Sequence, residues 1–165
     1  IESRGYKVSF VPINWYRTII TDWVEEFNKV YNTYDSKDVI LAGFSYGAMT
    51  AFVSAASRNP HELWLFSLSP YFSDDMPKMK QSWLNNIGHR RADVFRKLSF
   101  SQLAQKIHCK TLVFVGEVEA KKYPLLGTRA EAVNKQISGS TLFVIPDTDH
   151  DVADKRYIEP IKENI

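Results

Sequence analysis

Serine, histidine and a carboxylate can share one proton between them, and this sequence holds all three in an order that suits acyl transfer. Ser45 is the centre of Gly43-Phe44-Ser45-Tyr46-Gly47. With 14 serines and 7 glycines in 165 positions, chance supplies only about 0.025 copies of a G-x-S-x-G pattern. The apolar run Asp38 to Gly43 precedes it and a helix-forming segment to about Ser57 follows. A serine at such a strand-to-helix turn projects its hydroxyl above the strand ends. The Tyr46 backbone N–H and the positive end of the helix would then meet an oxyanion formed there. The plainer alternative is a glycine-rich turn with an N-capping serine.

A serine hydroxyl is a weak nucleophile, so it needs a base, and the base needs an acid to orient it. Of four histidines, His61, His89 and His108 read as surface or strand-start residues, because none stands at a C-terminal strand end, where such sites are built. His150, in "VIPDTDHDV", follows the last apolar run and shares the edge with Ser45. Just beyond the fourth run, "VGEVEA" offers Glu117 and Glu119 as the acid, and Asp74 and Asp75 follow the third.

The elements that must position these residues are short apolar runs alternating with helical patterns. Tyr6 to Ile13, Asp38 to Gly43, Leu63 to Ser69, Lys110 to Gly116 and Thr141 to Pro146 read as buried parallel strands. Ile20, Trp23, Val24, Phe27, Val30 and Tyr31 recur at helical spacing opposite Asp22, Glu25, Glu26 and Lys29. Further helices are expected after Ser45, over Arg129 to Ile137, and more weakly over Tyr157 to Ile165, where Pro160 intervenes. This alternation specifies a right-handed α/β sandwich in a single domain, 1–165. The segment 71–107 breaks the alternation. It reads as either a small lid, with Met76, Met79 and Trp83 as apolar contacts, or a long crossover helix, and "FSQLAQKI" within it as a short helix started by Ser101.

At this point the sequence resembles the α/β-hydrolase family over essentially its whole length. G-F-S-Y-G resembles the nucleophile elbow, "VGEVEA" the strand-Gly-x-x-acid turn, and "VIPDTDHDV" the histidine loop. The resemblance implies a three-layer α/β sandwich with a mostly parallel sheet. It assigns Ser45 as nucleophile, His150 as general base and acid, Glu119 as orienting carboxylate and the Tyr46 N–H as an oxyanion donor. Glu119 stands where the family usually has Asp, an accepted variant whose longer side chain must fold back, and Glu117, Asp74 and Asp75 remain as substitutes. Phe44, Tyr71, Phe72, Met76 and Trp83 are candidates for a substrate pocket, although aromatic residues in such places are as often core.

The implied activity is hydrolysis of a carboxylic ester, thioester or amide through an acyl-enzyme, with no metal or organic cofactor and a small-molecule acyl substrate. Acyl transfer would use the same residues, and a hydrolase-like binding or scaffold protein is the non-catalytic alternative. One departure lies at the N-terminus. The family's preceding strand, whose loop carries the second oxyanion donor, has no counterpart here, and "IESRGYKV" resembles the end of the helix after that loop. Without that strand the sheet would have a gap beside the Asp38 to Gly43 strand, with unpaired backbone groups costing about 1 to 3 kcal/mol each. The expectation is a natural protein with further N-terminal residues; the alternative is a first strand shifted inward to close the gap.

Composition narrows the partners. The 21 Lys and Arg against 19 Asp and Glu leave a net charge of +2, which gives no electrostatic reason to expect nucleic acid or an anionic membrane. Cys109 is the only cysteine, so no intrachain disulfide can form, and it reads as a buried thiol. No apolar run has the length of a membrane span and no signal-peptide core is visible, so the protein is read as cytoplasmic. Oligomeric state is left open.

Overall fold

The computed structural model describes Glu2 and residues 5–164. Of the helix end expected within residues 1–8, residues 1, 3 and 4 lie outside the described residues, as does the last residue of the tail helix. Four parallel strands form one sheet in sequence order: β1 (Ile40–Phe44), β2 (Glu62–Phe66), β3 (Lys110–Gly116) and β4 (Ser140–Ile145). Phe44 pairs with Phe66, Phe66 with Phe114, and Gly116 with Ile145. This register brings the C-terminal ends of the strands, and the residues that follow them, to one edge.

The apolar runs are continuous because both faces of the sheet are covered. Successive side chains of a strand point to opposite faces. Leu63 and Leu65 enter the larger core with Trp23, Met49, Phe52 and Val113, whereas Trp64 and Phe66 enter a smaller one with Phe114, Tyr157 and Ile161. The larger core is built by α1 (Ile20–Tyr31), α2 (Tyr46–Arg58) and α7 (Pro124–Gln136). On the other face, α8 (Lys155–Asn164) supplies Tyr157 and Ile161, with Pro160 inside the helix.

Sequence pattern accounts for the helix ends. Asp22 in the first turn of α1 accepts the Ile19 N–H at 3.0 Å, satisfying a donor that has no intrahelical partner. Four alanines of α2 are buried (Ala48, Ala51, Ala55 and Ala56), which lets its backbone approach β1 and β2 closely. α7 starts five residues earlier than its apolar spacing predicts, because Pro124 at its first position is already in helical geometry.

Four further expectations are corrected. Residues 6–13 form no strand: Tyr6 to Phe10 are exposed, with Phe10 at 86%. An apolar alternating pattern makes a strand only where a partner edge accepts its hydrogen bonds, and this segment instead runs past the outer edge of β1. Between them lies a groove of about 420 Å³, lined by Tyr6, Val8, Phe27, Val30, Val39 and Trp64 among others. The first strand has therefore not moved inward, and β1 is the sheet edge among the described residues. β2 ends at Phe66 and not at Ser69, because Ser67 turns to a positive φ of 50° as its N–H bonds to the Phe114 carbonyl at 2.8 Å.

Segment 71–107 holds three short helices, α3 (Gln81–Ile87), α4 (His89–Phe95) and α5 (Phe100–Ala104), in place of one long crossover helix. Ser99, and not Ser101, caps α5 by accepting the Gln102 N–H. Between β3 and α7, α6 (Glu117–Lys122) is a helix that the sequence pattern did not mark. Among the described residues, no helix is long and apolar enough to cross a membrane.

Candidate active site

Ser45 stands between the last residue of β1 and the first of α2. Its φ of 56° and ψ of −117° lie in a crowded region for a non-glycine residue. Two bonds hold it there: its N–H extends the parallel ladder to the Phe66 carbonyl at 2.9 Å, and its carbonyl accepts the Met49 N–H at 3.1 Å. The turn is possible because residue 43 is glycine; a methyl group there would lie 2.6 Å from the Ala48 nitrogen and closer still to the Gly47 carbonyl. The Tyr46 N–H, at the start of α2, is one of the helix's first donors, which have no intrahelical partner.

His150 reaches Ser45 from the loop after β4. That loop is docked on the start of α6, where the Thr148 carbonyl accepts the N–H groups of Val118 and Glu119 at 3.0 and 3.3 Å. Gly116 makes the docking possible, since a methyl group there would sit 2.7 Å from the Thr148 hydroxyl. The Lys122 ammonium meets Asp149 at 3.0 Å, and Asp149 accepts the His150 N–H at 2.8 Å. That N–H and then Lys122 hold the Asp149 carboxyl below the usual carboxylate range. The imidazole lies 4.6 Å from the Phe44 ring, centroid to centroid.

The hydrogen bonds run in one line. His150 Nε2 is 3.1 Å from Ser45 Oγ, and Nδ1 is 2.6 Å from Glu119 Oε2. A carboxylate only accepts, so Nδ1 carries the proton and Nε2 is free to accept from Ser45. Glu119 is fully buried at the third position of α6. Its side chain folds back as a capping-box glutamate does, with Oε1 accepting the Gly116 N–H at 2.6 Å. This is how the long glutamate side chain reaches His150 while its backbone starts α6.

The other three acids are engaged elsewhere. Glu117 pairs with Lys121 at 2.6 Å, which holds its carboxyl low. Asp74 accepts from the Ser73 hydroxyl, and Asp75 makes a buried bidentate pair with Arg129.

Above Ser45 and His150 opens a pocket of about 520 Å³. Tyr71 and Trp83 line it together with Tyr123 and Leu126, while Lys122 and Asp151 bring charge. Phe72 and Met76 do not line it. Phe72 packs on Phe52 and Phe100 in the core, and Met76 is buried in the same cluster. Phe44 borders the histidine instead of the cavity.

The Tyr46 side chain turns away from Ser45 into an aromatic cluster, stacked on Tyr71 at 5.2 Å and edge-on to Trp23 at 5.3 Å. Burial and the neighbouring Tyr71 push its phenol upward, so it stays neutral. Sequence reasoning missed Ser69, whose hydroxyl is 3.3 Å from Ser45 Oγ, and Ser67, which reaches Glu119. Their position at the C-terminal end of the third apolar run was the available signal. Among the described residues, no cluster of three or more His, Cys, Asp or Glu could hold a metal ion.

Neither a family model nor a curated protein matches the sequence. Solved structures do match. A predicted CIB-like hydrolase from Thermoplasma acidophilum superposes on 90% of the chain with a TM-score of 0.59 at 14% identity; the chain spans 59% of its length. Est1E from Butyrivibrio proteoclasticus, with ferulic acid bound, superposes on 90% with a TM-score of 0.71 at 18% identity, over 68% of its length. MGS-MChE2, an α/β-hydrolase enzyme from the metagenome of lagoon sediments at Mar Chica, Morocco, superposes on 93% with a TM-score of 0.66 at 14% identity, over 72% of its length.

Proposed function

We propose that this chain, which has the α/β-hydrolase fold, acts as a serine hydrolase on a carboxylic ester, thioester or amide of a small-molecule acyl substrate. Ser45 Oγ attacks the carbonyl carbon while His150 Nε2 takes its proton. The oxyanion that forms is met by the Tyr46 N–H at the head of α2, where the helix dipole also favours negative charge. His150 then gives the proton to the leaving group. Water repeats the sequence on the acyl-enzyme, releasing the acid and restoring Ser45. Glu119 keeps the proton on Nδ1 and stabilises the imidazolium.

The single observation that carries this reading is the continuous hydrogen-bonded line from Ser45 through His150 to buried Glu119, at a strained strand-to-helix turn. A strained non-glycine residue with a base in reach is the arrangement an activated nucleophile needs. The hydrolase names of the structural neighbours agree with it.

A fluorophosphonate probe, with the modified residue mapped by mass spectrometry, tests the reading. Labelling is expected at Ser45, and Ser45→Ala is expected to abolish labelling and ester hydrolysis while the far-UV spectrum and urea midpoint stay close to the parent's. Modification of a different serine, unaffected by Ser45→Ala, would replace this reading with another nucleophile. No labelling at all would favour a hydrolase-like binding or scaffold protein.

A further inference from the structure

Glu119 has two oxygens, and only one faces His150. The other, Oε1, accepts the Gly116 N–H and the Ser67 hydroxyl, each at 2.6 Å. Ser67 has one hydroxyl proton, and a carboxylate has none to offer, so that proton points at Glu119. The Tyr157 hydroxyl lies 2.7 Å from Ser67 Oγ, and with the serine proton committed, the proton between them comes from Tyr157, which shares it with the more distant Phe114 carbonyl. Tyr157 is fully buried, and burial raises its phenol, with the Glu119 charge adding to the effect, so it keeps the proton it donates. The same hydroxyl is 3.2 Å from the Phe114 carbonyl, which accepts the Ser67 N–H at 2.8 Å. Ser67 is held at a φ of 50°, a region that disfavours side chains, in a fully buried position.

We propose that Ser67 and Tyr157 are positioning residues for the hydrolytic reaction: the chain of donors from Tyr157 through Ser67 fixes Glu119 Oε1, so that Oε2 alone is presented to His150. The inference rests on the proposed roles of Ser45, His150 and Glu119. Such a chain polarises from one hydroxyl to the next, and every member is enclosed, so losing one donor is felt by the carboxylate. The strained backbone of Ser67 is what turns its hydroxyl from the end of β2 toward α6. In this way α8, on the far face of the sheet, takes part in orienting the histidine.

Ser67→Gly separates positioning from scaffolding, because glycine adopts the left-handed conformation without strain while removing the hydroxyl. For Ser67→Gly, kcat for an activated ester and the rate of Ser45 labelling are expected to fall roughly ten- to hundredfold, with KM within about twofold and only a small fall in the urea midpoint, because relief of the left-handed backbone offsets part of the lost buried hydrogen bonds. Tyr157→Phe should lower kcat less, roughly three- to tenfold, since Glu119 keeps the Ser67 donor. In a Glu119→Gln background, Ser67→Gly should cause no further loss, because the group it positions is gone. The parent's downfield His150 Nδ1 proton resonance should shift in Ser67→Gly. Normal labelling of Ser45 with an unchanged Ser67→Gly rate would overturn this inference alone. Equal losses with and without Glu119 would also overturn it, by reducing Ser67 to packing. Absence of Ser45 labelling in the unaltered protein would overturn the catalytic reading and this inference with it.

Discussion

Gly43 and Gly47 flank Ser45 symmetrically in the sequence but unequally in space. A methyl group at Gly43 runs into the backbone at Gly47 and Ala48, whereas one at Gly47 meets nothing. Gly43→Ala is therefore expected to destabilise by about 1 to 3 kcal/mol, as overpacking does. Gly47→Ala, within the first turn of α2, should be neutral or stabilising by up to about 1 kcal/mol. Urea denaturation of the two variants checks the pair, and equal losses would contradict this account of the turn. The acid supplies a second contrast. Glu119→Gln should lower turnover by about 10⁴-fold, the loss seen when a triad carboxylate becomes an amide. Glu117→Gln should change it little, since that carboxylate meets Lys121 at the surface; steady-state kinetics on one ester decides. That Ser45 and His150 share one edge could be read from the sequence because spacing and chain order carry it. Glu119 was indicated only by its position in the resemblance, with Glu117, Asp74 and Asp75 left open, because the contact depends on where side chains of different length turn, and the sequence holds no record of that.

At the scale of elements, the segment between β2 and β3 is tied to α7 by a buried ion pair. Arg129 of α7 clamps Asp75 with two hydrogen bonds, and its guanidinium lies 3.9 Å from the Phe100 ring centroid. Asp75 is 2% exposed and burial raises its carboxyl, the Arg129 bonds opposing that effect. Asp75→Asn leaves a buried guanidinium without its counter-charge and should cost about 3 to 5 kcal/mol. Replacing both, as Asp75→Leu with Arg129→Met, should recover most of that loss, because the pair's mutual attraction barely exceeds its desolvation. Chemical denaturation of both variants tests this; a double variant as unstable as the single one would show that the pair does more than compensate itself. The four strands, α1, α2, α5, α7 and, more weakly, α8 followed from apolar periodicity, whereas α3 and α4 did not. Two other features also departed from it. Residues 6–13 have a strand's pattern without a paired edge, and α6 is too short and too charged to register as a helix; its place is set by the glutamate that folds back onto the Gly116 N–H.

The whole molecule is asymmetric about its sheet. One face is packed by α1, α2 and α7 into a core that runs from Ile20 to Ile137, and the other is covered in part, with Ile40, Phe44 and Phe143 only partly buried there. α8 supplies what cover that face has near β3 and β4, through Tyr157 and Ile161, and these pack with Trp64, Phe66, Phe114 and Ile145. That pairing of a distant helix with the central strands was illegible in the sequence: Pro160 argued against the helix, and nothing in its spacing named the strands it would meet. The consequence is uneven sensitivity between the two faces of β4. Ile161 is 7% exposed inside the smaller core, so Ile161→Ala should destabilise by about 2 to 5 kcal/mol through lost burial and a cavity that neighbours fill only partly. Val144, which points from β4 to the opposite face and is 54% exposed, should tolerate Ala within about 0.5 kcal/mol. Since α8 also carries Tyr157, loosening it should reach the site: Ile161→Ala is expected to lower Ser45 labelling more than its small unfolded fraction explains, while Val144→Ala leaves labelling unchanged. Urea titration and labelling kinetics on the same samples separate the two effects. Labelling in Ile161→Ala that tracks only the folded fraction would confine α8 to stability and detach it from the orientation of Glu119.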